Sequence, residues 1–275
     1  MVLAQLFFAG MNVSTRLGAR DLPWSEIAAG RFLIGALVAL LLAWYRHSPL
    51  RITDQPNTWR RSLFGATAAV CTFYALGSSR IALGDAVTLG ATAPIFVALL
   101  SGPLLGEHVG ARVAAAVLFG FAGIVAVVRP SFATEIPIAA IVTAGAVFYA
   151  LAMIGLRKIG PGESHEAVAL HFSVVAFLVF LALSIPVWRW PNGSDAGVLL
   201  TVGLAGGGGQ IAMTRAYSLA RAAPVTAMSG LSIVFTYLLA IPIFGQLPSA
   251  WQLAGSLMVI AASLLLTGRP SPPRS

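Results

Sequence analysis

The chain is written as long apolar runs broken at short intervals by charge, proline or glycine. A helix needs about 20 apolar residues to cross the hydrocarbon core of a bilayer. Cutting at the breaks predicts spans near 1–18, 24–45, 62–79, 83–105 and 111–128, then 137–156, 167–188, 196–219, 223–244 and 251–267. The runs are continuous rather than alternating, so they read as helices that satisfy their own backbone in lipid and not as barrel strands. The first fifteen residues are apolar without a basic leader, and they read as the first span rather than a cleaved signal. The expected fold class is therefore an all-α, polytopic membrane protein of ten transmembrane helices.

Composition agrees: of 275 residues, 58% are hydrophobic and 9% charged, against about 25% charged in a soluble domain. The net charge of +8 comes from sixteen arginines and Lys158 against nine acids. These cations sit mainly between the runs, where they set topology and meet anionic lipid, so nucleic acid is not expected as a partner. Cys71 is the single cysteine, which excludes an intrachain disulfide. His47, His108, His165 and His171 form no ligand pair, and no metal or cofactor is called for.

Basic residues in the connections set the orientation. With the N-terminus inside, ten cations, Arg46 and Arg61 among them, fall on the cytoplasmic side, and five, including Arg16 and Arg189, fall opposite. Both termini are thus expected in the cytoplasm of a bacterial inner membrane, with a disordered tail over 269–275. An internal repeat adds to this. Ala86–Glu107 overlays Pro224–Gln246, with Val87-Thr88 on Val225-Thr226, Pro103 on Pro242 and Gly106 on Gly245. Each copy continues through one more span to an Arg-Pro, at Arg129-Pro130 and Arg269-Pro270. Two five-span copies, 1–130 and 137–268, enter the membrane from opposite sides, the inverted-repeat plan of secondary transporters.

The stretch SRIALGDAVTLGATAPIFVALLSGPLLGE resembles the fourth-helix signature of the drug/metabolite transporter superfamily, in its EamA-domain branch. GGGGQIAMTRAYSLARAAPVTAMSGLSIVFTYLLAIPIFGQ resembles the matching part of the second repeat, and FFAGMNVSTRLGARDLPWSEIAAGRF the opening of that branch. The resemblance implies two inverted EamA repeats around a central cavity, with alternating access for a small organic metabolite. It does not choose the metabolite. Two departures stand out: Gln246 where a glutamate is expected, and Ser232 where the first repeat has Pro94.

Polar groups inside spans are costly and mark candidate sites. Arg31 offers a planar fork for a carboxylate or phosphate, or else has a structural role, paired with Glu26 or bonded to helix-end carbonyls. Asn12, Tyr74, Thr92, Tyr149, Gln210, Ser229 and Tyr237 are cavity candidates by depth. Pro94 frees a carbonyl one turn earlier, within reach of Thr92. Glu26 and His171 are the candidate proton-linked groups. Arg215 reads as a snorkelling anchor, and the run Gly206–Gly209 as a place of close helix packing. Six tryptophans fall near span ends, as interfacial anchors do. Gly120, Gly123, Gly255, Ala261 and Ala262 suit close helix contacts, within one chain or in a homodimer. No nucleophile–base pair points to an enzyme. The reading is a secondary transporter, with a non-transporting receptor or assembly protein as the alternative.

Overall fold

A computed structural model describes residues 1–105, 111–128, 136–159, 163–219, 228–245 and 247–265. Glu107, Gln246, both Arg-Pro pairs, the tail over 269–275 and the side chain of Arg215 lie outside the described residues.

The described residues form eleven α-helices and two short 3-10 turns: α1 Val2–Gly18, α2 Trp24–Arg46, α3 Gln55–Gly77, α4 Leu83–Gly90, α5 Ala93–Leu105, α6 Ala111–Val128, α7 Ile136–Lys158, α8 His165–Ser184, α9 Gly193–Leu219, α10 Leu231–Phe244 and α11 Ala250–Leu265. Together α4 and α5 make the fourth span. It breaks where Pro94 cannot donate to the preceding turn, and Thr92 Oγ1 donates to the Leu89 carbonyl at 2.6 Å. By length and composition Trp24–Arg46, Leu83–Leu100, Ile136–Leu156, His165–Val187 and Gly193–Met213 can each cross a bilayer, and Met228–Phe244 and Ala250–Leu265 are shorter apolar helices.

The ends are set locally. Asp54 caps α3 by accepting from the Asn57 amide, and Ser164 caps α8 by accepting from the Ala167 amide. His47 and Gly245 take left-handed backbone, φ 53° and 65°, and stop α2 and α10.

The third span starts earlier than hydropathy suggests. α3 begins at Gln55, so Arg60 and Arg61 are helical, and Arg61 is buried rather than a loop cation. Arg16 departs from the loop reading in the same way, being buried in the last turn of α1.

Helix pairing repeats under a shift of five spans. α1 packs on α9 as α3 packs on α7; α2 packs on α9 as α3 packs on α8; α1 packs on α10 as α5 packs on α7. The pairs α2–α8 and α6–α11 map onto themselves. Between α2, α3 and α8 lies an aromatic core of Phe32, Phe73, Phe172 and Phe180, with Phe32–Phe172 edge-to-face at 5.4 Å. Gly120 and Gly123 of α6 pack against Ala262, Gly255 and Val259 of α11, so these small residues are used within the chain. Trp44, Trp59, Trp188, Trp190 and Trp251 are exposed near helix ends, whereas Trp24 packs against Tyr74 and Phe180.

Candidate substrate cleft

A cleft of about 730 Å³, counting its open mouth, lies between α2, α8 and α9. Its α2 wall is Arg31, Gly35, Val38, Ala39, Leu42 and Arg46, which recur at helical spacing along one stripe. His165, Glu166, Ala169 and Ser173 come from α8, and Gly207, Gln210 and Ile211 from α9. Arg46 and Glu166 stand at the mouth, joined by an Nη1–Oε1 ion pair of 3.0 Å. Arg31 is seven residues into α2, about 10 Å from the Trp24 end and about 22 Å from Arg46 at 1.5 Å per residue. In a hydrocarbon layer about 30 Å thick, such a cleft reaches well past the middle.

Gly206 makes room for Arg31, and Gly35 lies beside it at ordinary contact distance. A Cβ on Gly206 would lie 2.9 Å from its Nε and 3.0 Å from its Cγ; one on Gly35 would lie 3.7 Å from its Nη1 and 3.6 Å from Ser173 Oγ. α9 stays helical through Gly206–Gly209, and Phe7 and Phe8 of α1 lie against Gly208 and Gly209. The run serves close packing at Gly208 and Gly209, while Gly207 lines the cleft without a break in the helix.

Arg31 is only 6% exposed, and its Nε has no hydrogen-bond partner among the described residues. Its guanidinium carbon sits 4.0 Å over the Phe32 ring, a contact worth about 2 kcal/mol when desolvated. Burying a cation costs several kcal/mol, so the ring alone does not offset it. Glu26 does not pair with Arg31. It is buried, accepts from the Arg189 amide at 2.6 Å, and so ties the start of α2 to the α8–α9 connection.

The remaining candidates disperse. Asn12 is buried in α1 outside the cleft walls, and Thr92 is fully buried and bonded to its own chain. Tyr74 packs on Trp24; Tyr149 lies partly exposed on α7. Ser229 sits in the 3-10 turn before α10, where its carbonyl accepts from Ser232 Oγ at 2.8 Å. Tyr237 donates to Asp85 Oδ1 at 3.1 Å, while Gln252 Nε2 donates to Asp85 Oδ2 at 2.5 Å, joining α4 to α10 and α11 at the end opposite Arg46. His171 Nδ1 lies 2.9 Å from Ser62 Oγ, and its ring meets Trp59 edge-on at 4.7 Å. Of the sequence candidates only Arg31 and Gln210 share the cleft.

Sequence reasoning passed over Ser173, Glu166 and the mouth role of Arg46. Beyond the mouth, the α2–α3 and α7–α8 connections are tied together. Glu163 Oε1 accepts from the Thr53 hydroxyl, from the Thr53 amide at 2.6 Å and from the Asp54 amide at 2.7 Å. The Thr53 hydroxyl and the Asp54 amide hold the Glu163 carboxyl below its ordinary pKa. Ser164 Oγ also donates to the Pro49 carbonyl at 2.5 Å.

The EamA-like transporter family matches residues 1–129 and again 136–268. The chain is 30% identical to the pseudopaline exporter of Pseudomonas aeruginosa over 268 residues, 97% of this chain and 94% of that one. It is 28% identical to human solute carrier family 35 member G1, across 89% and 72% of the two chains, and 24% identical to the riboflavin transporter of Rhizobium johnstonii, across 97% and 89%. A solved structure titled only as a crystal structure of protein superposes with a TM-score of 0.65 at 20% identity, covering 96% of this chain and 95% of that one, and so shares the fold. This chain belongs to the EamA-like transporter family, as a multi-pass membrane transporter of small molecules.

Proposed function

We propose that the chain carries a small organic anion or zwitterion, not enzymatically transformed, whose carboxylate or phosphate meets Arg31 at the inner end of the α2–α8–α9 cleft. The observation that carries this reading is the guanidinium itself: buried, lining the cleft, and without a partner for its Nε among the described residues. An anion there would supply the missing charge-assisted hydrogen bonds. Gln210 and Ser173 add neutral polar groups for the rest of the substrate.

The substrate reaches Arg31 past the Arg46–Glu166 pair. Alternating access follows as rocking of the halves 1–130 and 137–268 about the paired α2 and α8, which maps onto itself under the repeat. The Arg46 end is read as cytoplasmic from the charge tally. In this cycle the Arg46–Glu166 and Glu163 ties would release as the Arg46 end opens, and the Glu26–Arg189 tie as the other end does.

A stabilisation screen of purified protein tests the reading. Substrate-sized carboxylates are compared with their neutral amides, since a ligand that binds the folded state raises its apparent melting point. The expected result is a set of acids that stabilise the wild type, amides that do not, and no response in Arg31→Gln. Equal stabilisation of wild type and Arg31→Gln by the same acids would contradict it.

A further inference from the structure

Arg31 has a counterpart that the cleft does not contain. Arg61 of α3 is also 6% exposed, and both its Nε and its Nη1 lack a hydrogen-bond partner among the described residues. Its guanidinium carbon lies 4.0 Å over the Phe172 ring, on α8. The one ion pair among the described residues, Arg46–Glu166, does not involve it.

One turn earlier, Thr58 is fully buried, and its hydroxyl is likewise unpartnered. Positions three apart share a helix face, so Thr58 lies one turn before Arg61 on the same side of α3, while Arg61 Nη1 reaches the level of Gly65 one turn further on. Helical threonines ordinarily bond the carbonyl four residues back. Thr67, Thr72, Thr88, Thr143 and Thr201 all do so here, whereas Thr58, like Thr15 and Thr236, does not. Packing has also been arranged around the guanidinium. A Cβ on Gly65 would stand 2.5 Å from Arg61 Nη1 and 2.8 Å from the Phe172 ring, so only glycine leaves this space.

We propose that Thr58 and Arg61 of α3, beside the Phe172 ring of α8, form a second anion site for a carboxylate or phosphate group. Phe172 meets Phe32 edge-to-face at 5.4 Å, and Phe32 carries Arg31 at 4.0 Å. Each guanidinium is thus stacked on one ring of the same aromatic pair. Two like charges on one ring pair attract an anion more strongly than either alone. A substrate anion released from Arg31 finds this second cation stacked on the partner ring of the Phe32–Phe172 pair. As a stage of transport this rests on the cleft reading above; as an anion site it does not.

Trp59 supplies a reporter, because its ring packs on His171, the neighbour of Phe172 in the chain. Full-length protein in nanodiscs is titrated at constant ionic strength with inorganic phosphate, with glutarate and with chloride. The fluorescence of a Trp59→Phe variant is subtracted.

A saturable signal with phosphate or glutarate is expected, weakened about tenfold or more by Arg61→Gln. Thr58→Val should weaken it several-fold and Arg31→Gln far less than Arg61→Gln. Should Arg61→Gln not fold, Arg61→Lys and Thr58→Val carry the comparison, and weakening in both supports the site. Three results would overturn it: no saturable signal in folded wild type, saturation by chloride alone, or titrations unchanged by every α3 variant. Flux separates the two readings. If Arg31→Gln stops transport while Arg61 and Thr58 variants bind and transport like wild type, the second site is wrong and the cleft stands. If Arg31→Gln transports normally, the cleft reading fails, and the fluorescence still decides the second site.

Discussion

Arg16 and Arg31 are equally buried cations within spans, and their surroundings are opposite. Arg16 donates from Nε to the Leu76 carbonyl at 2.6 Å and from Nη2 to Ala75 and Ile81 at 3.3 and 2.9 Å. It closes the C-terminal end of α3, whose last carbonyls have no helical partner, and fastens it to α1. Arg31 lies over a ring and in the space left by Gly206, and its Nε finds no acceptor among the described residues. A satisfied buried arginine reads as structure. One with an unmet nitrogen facing a cleft reads as a receptor for something that arrives.

The widest gap between the two appears on removal of charge. Arg16→Gln orphans carbonyls on α3 and its following turn, and should lower stability by about 3 kcal/mol or more. It should be recognised by a lower melting temperature and a lower yield of monodisperse protein. Arg31→Gln removes a cation that the resting fold does not neutralise, so the melting temperature should hold or rise. Transport should fall by about a hundredfold, the worth of a charge-assisted pair. If Arg16→Gln were stable and Arg31→Gln unstable, the contrast would be inverted and the account with it.

A middle-sized effect belongs to the mouth. Glu166→Gln and Arg46→Gln each break the 3.0 Å ion pair. Arg46 is half exposed, so the pair contributes at most about 1 kcal/mol to stability. Substrate affinity should change several-fold, and the Arg46→Glu, Glu166→Arg double exchange should restore part of it. A double-mutant cycle on substrate Km checks this, and complete additivity would remove the pair from the path.

The smallest effect concerns pH. The Glu163 carboxyl is held below its ordinary pKa by the Thr53 hydroxyl and the Asp54 amide. Its folded pKa thus lies under the unfolded value, and the tie is fully present above the usual carboxylate range. It weakens as pH falls through the lowered value. Trypsin cleavage at Arg51 should therefore stay slow from neutral pH down to about 5, and should be faster in Glu163→Gln at neutral pH. Equal cleavage of the two proteins would show that the tie does not restrain the connection.

How much of this stood in the sequence depended on distance along the chain. The spans were legible because each is a local run; Pro94 was read as freeing one carbonyl, whereas the fold divides the fourth span there into two helices. Arg16 and Arg61 were not legible. Both lie at the edge of an apolar run, where a hydropathy cut assigns a cation to the loop. Whether it turns inward depends on carbonyls or rings 59 or more residues away. Arg31 and Gln210 were legible by depth alone. Ser173 and Glu166 were missed because α8 is apolar nearly all round, and such a helix does not announce which face meets a cleft. Glu26 was within pairing distance of Arg31 by spacing, and only the fold shows it turned to the Arg189 amide.

The most direct test of the central claim is counterflow in proteoliposomes, with wild type and Arg31→Gln inserted in equal amounts and folded by the same melting criterion. Saturable exchange of an acid identified by the stabilisation screen should be present in wild type and lost about a hundredfold in Arg31→Gln, with Arg16→Lys retaining it in whatever fraction folds. Undiminished exchange in folded Arg31→Gln would contradict the account.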